Sequence, residues 1–194
     1  MIEIICVAYE RPVAMRGLID SFISQTNPDW ELNIIYDGPV PWSIYDVMAL
    51  YRTDPRIKFE NSLTRTQNFG HLNRKMMLEK MDFHEDDFLL MTNDDNYYVP
   101  VFVEYMLREC DPDVGFVYCD SVHSHFEYNL HKTKIKEHHI DIGSFIVRAG
   151  EAKSTGFNNV TFSADGVYAE ECFATCLGNG LREVYIPKPL FVHN

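Results

Sequence analysis

Cations are scarce in this chain. Its 194 residues hold 17 lysines and arginines against 29 aspartates and glutamates, a formal charge of −12. That balance excludes nucleic acid and anionic membrane surfaces as partners, because both demand a basic face. An anionic substrate would need a local cation. Cysteine is sparse too. The five cysteines, at 6, 110, 119, 172 and 176, form no CxxC pair and make an odd total. A disulfide scaffold is thereby excluded, and reduced thiols in an intracellular protein are expected. Cys172 and Cys176 share a helical face at a spacing that suits core residues better than ligands. No segment has the unbroken apolar length of a membrane span. There is no internal repeat, low-complexity tract or linker. Met1-Ile2-Glu3-Ile4-Ile5 lacks the basic flank of a signal peptide, so a cytoplasmic protein is expected.

What is present is globular. Apolar residues make up 46% and aromatics 13%, which suits one α/β domain over 1–194 with a full hydrophobic core. Glu3 to Ala8 reads as a buried strand, and Pro12 followed by Leu18, Ile19, Phe22 and Ile23 opens an amphipathic helix. Trp30 to Tyr36 gives a second strand ending at Asp37-Gly38-Pro39. A helix over Trp42 to Arg52, a strand near Ile57 to Phe59, and a helix over Leu72 to Met81 continue the alternation. Such alternation predicts a mostly parallel sheet flanked by helices. Further on, a helix near Pro100 to Arg108, strands at Val114 to Tyr118 and Ser144 to Arg148, a helix from Ala164 to Leu177 and a last strand at Glu183 to Ile186 are expected. Asp120 to Asp141 is polar and histidine-rich, and reads as a long functional loop.

The most informative stretch is Phe88-Leu89-Leu90-Met91-Thr92-Asn93-Asp94-Asp95. An apolar run ends there in two adjacent carboxylates. In open α/β sheets ligands gather beyond the carboxyl ends of such strands, and paired carboxylates repel unless a cation joins them. Magnesium or manganese suits such oxygen ligands beside a phosphate-bearing substrate. The competing reading is an ordinary turn and helix cap ahead of Val101 to Leu107.

Seven motifs recur in one order: Val7-Ala8-Tyr9-Glu10-Arg11-Pro12; Tyr36-Asp37-Gly38; Gln67-Asn68-Phe69-Gly70-His71-Leu72-Asn73; Thr92-Asn93-Asp94-Asp95-Asn96; Asp141-Ile142-Gly143-Ser144-Phe145; Phe162-Ser163-Ala164-Asp165-Gly166; and Pro189-Leu190-Phe191-Val192-His193-Asn194. In that order, over nearly the whole chain, the sequence resembles the GT-A fold glycosyltransferases of family 2. The resemblance implies a Rossmann-like sheet whose residues 1–99 bind a nucleotide sugar and whose residues 100–194 face the acceptor. It also implies an inverting transfer from a UDP-sugar of the UDP-glucose or UDP-galactose type to a hydroxyl acceptor, with Mn2+ or Mg2+ as cofactor.

Residue by residue, the resemblance gives Asp95 and His193 as metal ligands, with Asp94 on the ribose hydroxyls or a metal-bound water and Asn93 beside it. The Asn93-Asp94-Asp95 form is a variant of the family's Asp-x-Asp. Asp37 matches the acceptor of the uracil imide N–H. Ala8, Tyr9 and Arg11 match the loop against the base, and Asn68, Gly70, His71 and Arg74 lie where a loop and helix start meet ribose and phosphate. Arg65 is a further candidate or a solvated surface charge. Asp165 matches the general base, with Glu170 and Glu171 as rivals that a helix from Ala164 turns partly away from it. His193 could otherwise be a solvated end of the chain.

The histidines at 123, 125, 131, 138 and 139 match no structural zinc spacing and read as a solvated loop. Two other functions compete. A nucleotidyltransferase or a dinucleotide enzyme would carry a glycine-rich loop after the first strand, and Ala8-Tyr9-Glu10-Arg11-Pro12 has no glycine. A non-catalytic nucleotide-sugar or carbohydrate binder would retain the same pocket without turnover.

Overall fold

The computed structural model describes residues 1–194. The chain runs β1 (Ile2–Ala8), α1 (Pro12–Ile23), β2 (Trp30–Tyr36), α2 (Trp42–Tyr51), β3 (Ile57–Asn61), α3 (His71–Lys80), β4 (Phe88–Asn93), β5 (Tyr97–Tyr98), α4 (Phe102–Arg108), β6 (Val114–His123), β7 (Asn129–His131), β8 (Phe145–Arg148), α5 (Ala149–Thr155), α6 (Ala164–Gly178) and β9 (Arg182–His193). The strands form a single sheet in the order β3-β2-β1-β4-β8-β6-β9-β5, with β7 on β6. The β3-β2-β1-β4 portion is parallel, as the alternation predicts. The C-terminal half adds antiparallel β8 between β4 and β6, and a parallel β6–β9 pair.

Alternating side chains of the central strands feed two apolar layers. Ile4 and Cys6 pack with Leu18, Phe22 and Trp30 under α1. Ile5 and Val7 pack on the opposite face with Met77, Leu89, Phe116, Cys172 and Cys176. All five cysteines are free thiols. No helix is long and apolar enough to cross a membrane.

β1 lies between β2 on one side and β4 on the other, so the chain reverses direction across the sheet at β1. Ligand crevices form outside the carboxyl ends of strands at such a switch point. Tyr9 to Arg11, Asp37, and Asp94 with Asp95 all follow strands that end on this edge.

Besides the unexpected β5 and α5, two segments that reach the cavity depart from expectation. The segment read as a long loop begins as strand, because β6 continues through Asp120 to His123 and β7 folds back on it. Asp120 is polar yet buried, and its Oδ1 accepts from Thr133 N at 3.0 Å and Tyr185 Oη at 2.7 Å. The last strand reaches His193 instead of stopping at Ile186, since β5 and β6 flank it. Phe191 is fully buried there, and its ring centroid lies 5.3 Å from that of Tyr98. Docking of β9 carries His193 into the body of the protein.

Phe191→Ala should therefore destabilise the fold by about 3–5 kcal/mol, the usual cost of emptying a buried phenylalanine site. Urea unfolding measures this. An unchanged midpoint would contradict the docking of β9.

Candidate functional site

A cavity of about 1050 Å³ opens at the carboxyl ends of β1, β2 and β4. Ala8, Tyr9, Arg11, Asp37, Arg65, Asn68, Gly70, His71, Arg74, Asn93, Asp94, Asp95, Asp165 and His193 all line it. Glu170 and Glu171 do not. Both are exposed on α6, and Glu170 accepts the Glu137 N–H at 2.8 Å. Asp141, His123, His125, Phe69 and Phe162 also line the cavity. No role is expected for any of these five from the sequence alone.

At the end of β4, Asp94 is buried and its Oδ2 accepts the Tyr9 N–H at 2.9 Å. Burial lifts its carboxyl to about 6, against the pull of Arg11 and the Tyr9 N–H. The Arg11 guanidinium pairs with Asp95 Oδ2 and lies 3.5 Å from Asp94 Oδ1. Asp95 Oδ1 is buried with no hydrogen-bond partner. That orphaned carboxylate oxygen, together with the neighbouring carboxylate, is a donor set that fits a hard divalent cation.

Asp37, beyond β2, is held on one oxygen. Its Oδ1 accepts Thr66 N and Oγ1, both at 2.7 Å, and Asn73 Nδ2 at 3.0 Å. Burial pushes this carboxyl up, but the Thr66 and Asn73 bonds outweigh it and hold it below the usual range. Asp37 Oδ2 keeps acceptor capacity and has Arg65 Nε at 3.9 Å. Arg65 in turn lies over the Tyr9 ring, 3.7 Å from its centroid. A flat cationic and aromatic wall therefore stands beside a fixed carboxylate.

The loop before α3 is strained. Gln67, Asn68 and Phe69 hold φ values of 57°, 49° and 56°, a region that residues with a Cβ rarely occupy. Gly70 follows at φ 76°, where an added Cβ would lie 2.4 Å from Val7 Cγ1. Only glycine lets this loop close on β1. The result positions Arg74, which is buried and donates to Phe69 O at 2.9 Å and to the Asn93 carboxamide. His71 Nδ1 lies 3.1 Å from Arg74 Nη1. Burial and the Arg74 charge push His71 down to about 4, so it is neutral near pH 7. Arg74 Nε has no partner and no carboxylate pairs with this guanidinium. A buried, unneutralised arginine on a cavity wall is suited to an anion.

On the same cavity, Asp165 stands in the first turn of α6 with Oδ1 buried and unpartnered. Burial raises it to about 6, Arg74 and His193 oppose the rise, and Asp141 adds to it. Asp141 Oδ1 accepts the Gly143 N–H at 2.9 Å, and its Oδ2 lies 3.0 Å from His193 Nδ1, out of line for a hydrogen bond. Burial disfavours charge on both partners. The attraction outweighs it, holding the Asp141 carboxyl below its ordinary value and His193 above.

No protein-family model matches the sequence and no curated protein matches it. Solved structures do match. Residues 1–349 of TarS from S. aureus superimpose with a TM-score of 0.77 at 14% identity, covering 100% of this chain and 60% of that one. The same protein in complex with UDP-GlcNAc gives 0.75 at 12% identity, covering 99% of this chain and 58% of that one. The mannosyltransferase PcManGT from Pyrobaculum calidifontis, in complex with GDP-Man and Mn2+, gives 0.69 at 14% identity, covering 98% and 56%.

The chain has a GT-A-like glycosyltransferase fold. The α/β class expected from the sequence is borne out. This chain spans about three fifths of the length of TarS 1–349, and 36% of a longer TarS structure.

The raised Asp165 carboxyl of this GT-A-like cavity has a measurable consequence. A carboxyl lifted in the folded state contributes stability below its ordinary value of 3.8, and that contribution is lost as pH rises through about 6. Asn mimics the protonated form. In chelator, Asp165→Asn should melt at a higher temperature than the unsubstituted protein above pH 6, with the gap shrinking toward pH 4. A gap independent of pH would contradict the buried, shifted carboxyl.

Proposed function

We propose that this chain is an inverting glycosyltransferase of the family 2 type, using a divalent cation to move a sugar from a UDP-sugar donor to a hydroxyl acceptor. UDP-glucose or UDP-galactose is the leading donor type. The observation that carries this reading is the convergence of Asp37, Asp95, Arg74 and Asp165 in one cavity at a strand switch point. Residues 1–99 supply the donor half and residues 100–194 the acceptor half.

Asp37 Oδ2 accepts the imide N–H of uracil while Tyr9 and Arg65 pack on the base. Asp94 takes the ribose hydroxyls. Asn68, Gly70 and His71 shape the loop that meets ribose and phosphate, and the Arg74 and Arg11 guanidinium groups face the diphosphate. Asp95 and His193 would hold Mn2+ or Mg2+, which when bound offsets the charge of the departing diphosphate. Asp165 takes the acceptor proton as the hydroxyl oxygen attacks the anomeric carbon from the side opposite the diphosphate. A carboxyl poised near 6 is ionised at neutral pH and a better proton acceptor than an ordinary aspartate. Glu170 and Glu171 face solvent and are left without a part in this step.

Calorimetry tests the donor site. UDP should bind in manganese and weaken sharply in chelator, Asp95→Ala should lose the manganese effect, and Asp37→Ala should lose the preference for UDP over other nucleotides. Equal UDP affinity in manganese and chelator would contradict the reading. In a transfer assay, Asp165→Asn should lose about 10²- to 10⁴-fold in turnover with donor binding retained. An active Asp165→Asn beside an inactive Glu170→Gln or Glu171→Gln would move the base to that glutamate. UDP-sugar binding without transfer to any acceptor or to water would favour a binding module.

A further inference from the structure

Three imidazoles meet at one rim of the cavity, although the sequence scatters them. His123 ends β6 and His193 ends β9, and the parallel register sets the two opposite each other. Opposed residues on neighbouring strands, about 4.8 Å apart, project to the same face. Their rings stack with centroids 4.0 Å apart and planes 18° apart. The turn Ser124–Phe126 then brings His125 back, with its ring centroid 5.1 Å from that of His123 and 5.5 Å from that of His193. One nitrogen of each residue lies within 4.8 Å of the other two. His123 Nδ1 is buried and has no hydrogen-bond partner.

We propose that His123, His125 and His193 form a three-imidazole site for a borderline divalent cation, zinc or cobalt. The proposal deepens the cation reading given above: it moves His193 from a site shared with Asp95 into an all-imidazole site, and it rests on that reading for the ion's part in transfer but not for where the ion binds. Imidazole donors favour zinc and cobalt, whereas magnesium and manganese favour oxygen. Nitrogens held at about 2.0–2.1 Å from one zinc lie roughly 3.4 Å apart in a tetrahedral site. Closure therefore requires the stacked His123 and His193 rings to turn until their nitrogens converge, and His125 is exposed and free to follow. Asp141 Oδ2 lies 3.0 Å from His193 Nδ1, so the same ring turn would bring it into line as the carboxylate that commonly orients a metal-bound imidazole. Asp141 is itself fixed by the Gly143 N–H at 2.9 Å.

The test is a titration of the metal-stripped 194-residue chain with cobalt(II) alone, followed by visible absorbance and calorimetry. One cobalt should bind per chain with the absorption bands of nitrogen-ligated cobalt, and zinc should displace it where excess magnesium does not. Loss of a ligating imidazole should cost at least the roughly 10- to 100-fold typical of an outer-shell partner. His123→Ala and His125→Ala should thus both weaken cobalt binding by that much or more, with unchanged circular dichroism, while Asp95→Ala keeps the nitrogen-type spectrum. A His123→Ala/His125→Ala double variant that folds normally and binds cobalt as tightly as the unsubstituted chain would overturn the proposal. A spectrum lost in Asp95→Ala but kept in the histidine variants would overturn it as well. If cobalt binds as expected while UDP affinity ignores every metal, this site stands and the donor reading falls.

Discussion

Parallel pairing of β1 with both β2 and β4 is the constraint on which the site depends. The register sets Ala8 opposite Tyr36 and Val7 opposite Asn93. Backbone bonds extend it past the strand ends, from Asp37 N to Ala8 O at 2.9 Å and from Asp94 N to Val7 O at 3.2 Å. Three turns distant in sequence therefore leave the sheet side by side. A slip of one residue would turn every side chain to the opposite face, which two buried layers forbid. The same core that stabilises the protein thus fixes the spacing of its polar groups.

Those polar groups are held in conflict with their surroundings. Arg74 is buried without a carboxylate partner, and Asp94 and Asp165 are each lifted to about 6 by burial. Buried charges cost stability unless paired. Clusters of this kind are expected where binding or catalysis matters, and less in a purely structural core. The strained Gln67–Phe69 turn belongs to the same pattern, because it presents the carbonyl that Arg74 uses. In the proposed function, a donor bearing a diphosphate and an acceptor bearing a hydroxyl would relieve the conflict.

Much of the parallel half was legible because its signals are local. Continuous apolar runs mark β1, β2 and β4, Pro12 starts α1, and Asp37 and Asp94-Asp95 stand at the strand ends where turn chemistry and ligand chemistry coincide. The C-terminal half was less legible. β6 continues through Asp120 and Ser121, polar residues that read as loop yet are buried, with Thr133 and Tyr185 satisfying the Asp120 carboxylate. Pro187 and Pro189 argue against a strand, yet β9 tolerates them at register irregularities against β6. α5 is short, with only Ala149 and Ala152 buried, too weak an apolar period to detect. The histidine group was invisible for a topological reason. His123 and His193 are neighbours only through the pairing of β6 with β9, and no spacing rule spans that distance. Asp141 had no assigned role because its significance lies in His193, a contact between distant elements.

The central claim is that the cavity beside β1, β2 and β4 holds a uridine diphosphate. Diffraction from crystals grown with UDP and manganese tests it most directly, using the anomalous signal of the ion. The account predicts the uracil edge on Asp37, the diphosphate facing Arg74, and an anomalous peak against Asp95. Nucleotide density outside this cavity, or inside it with the base turned away from Asp37 and the ion away from Asp95, would contradict it.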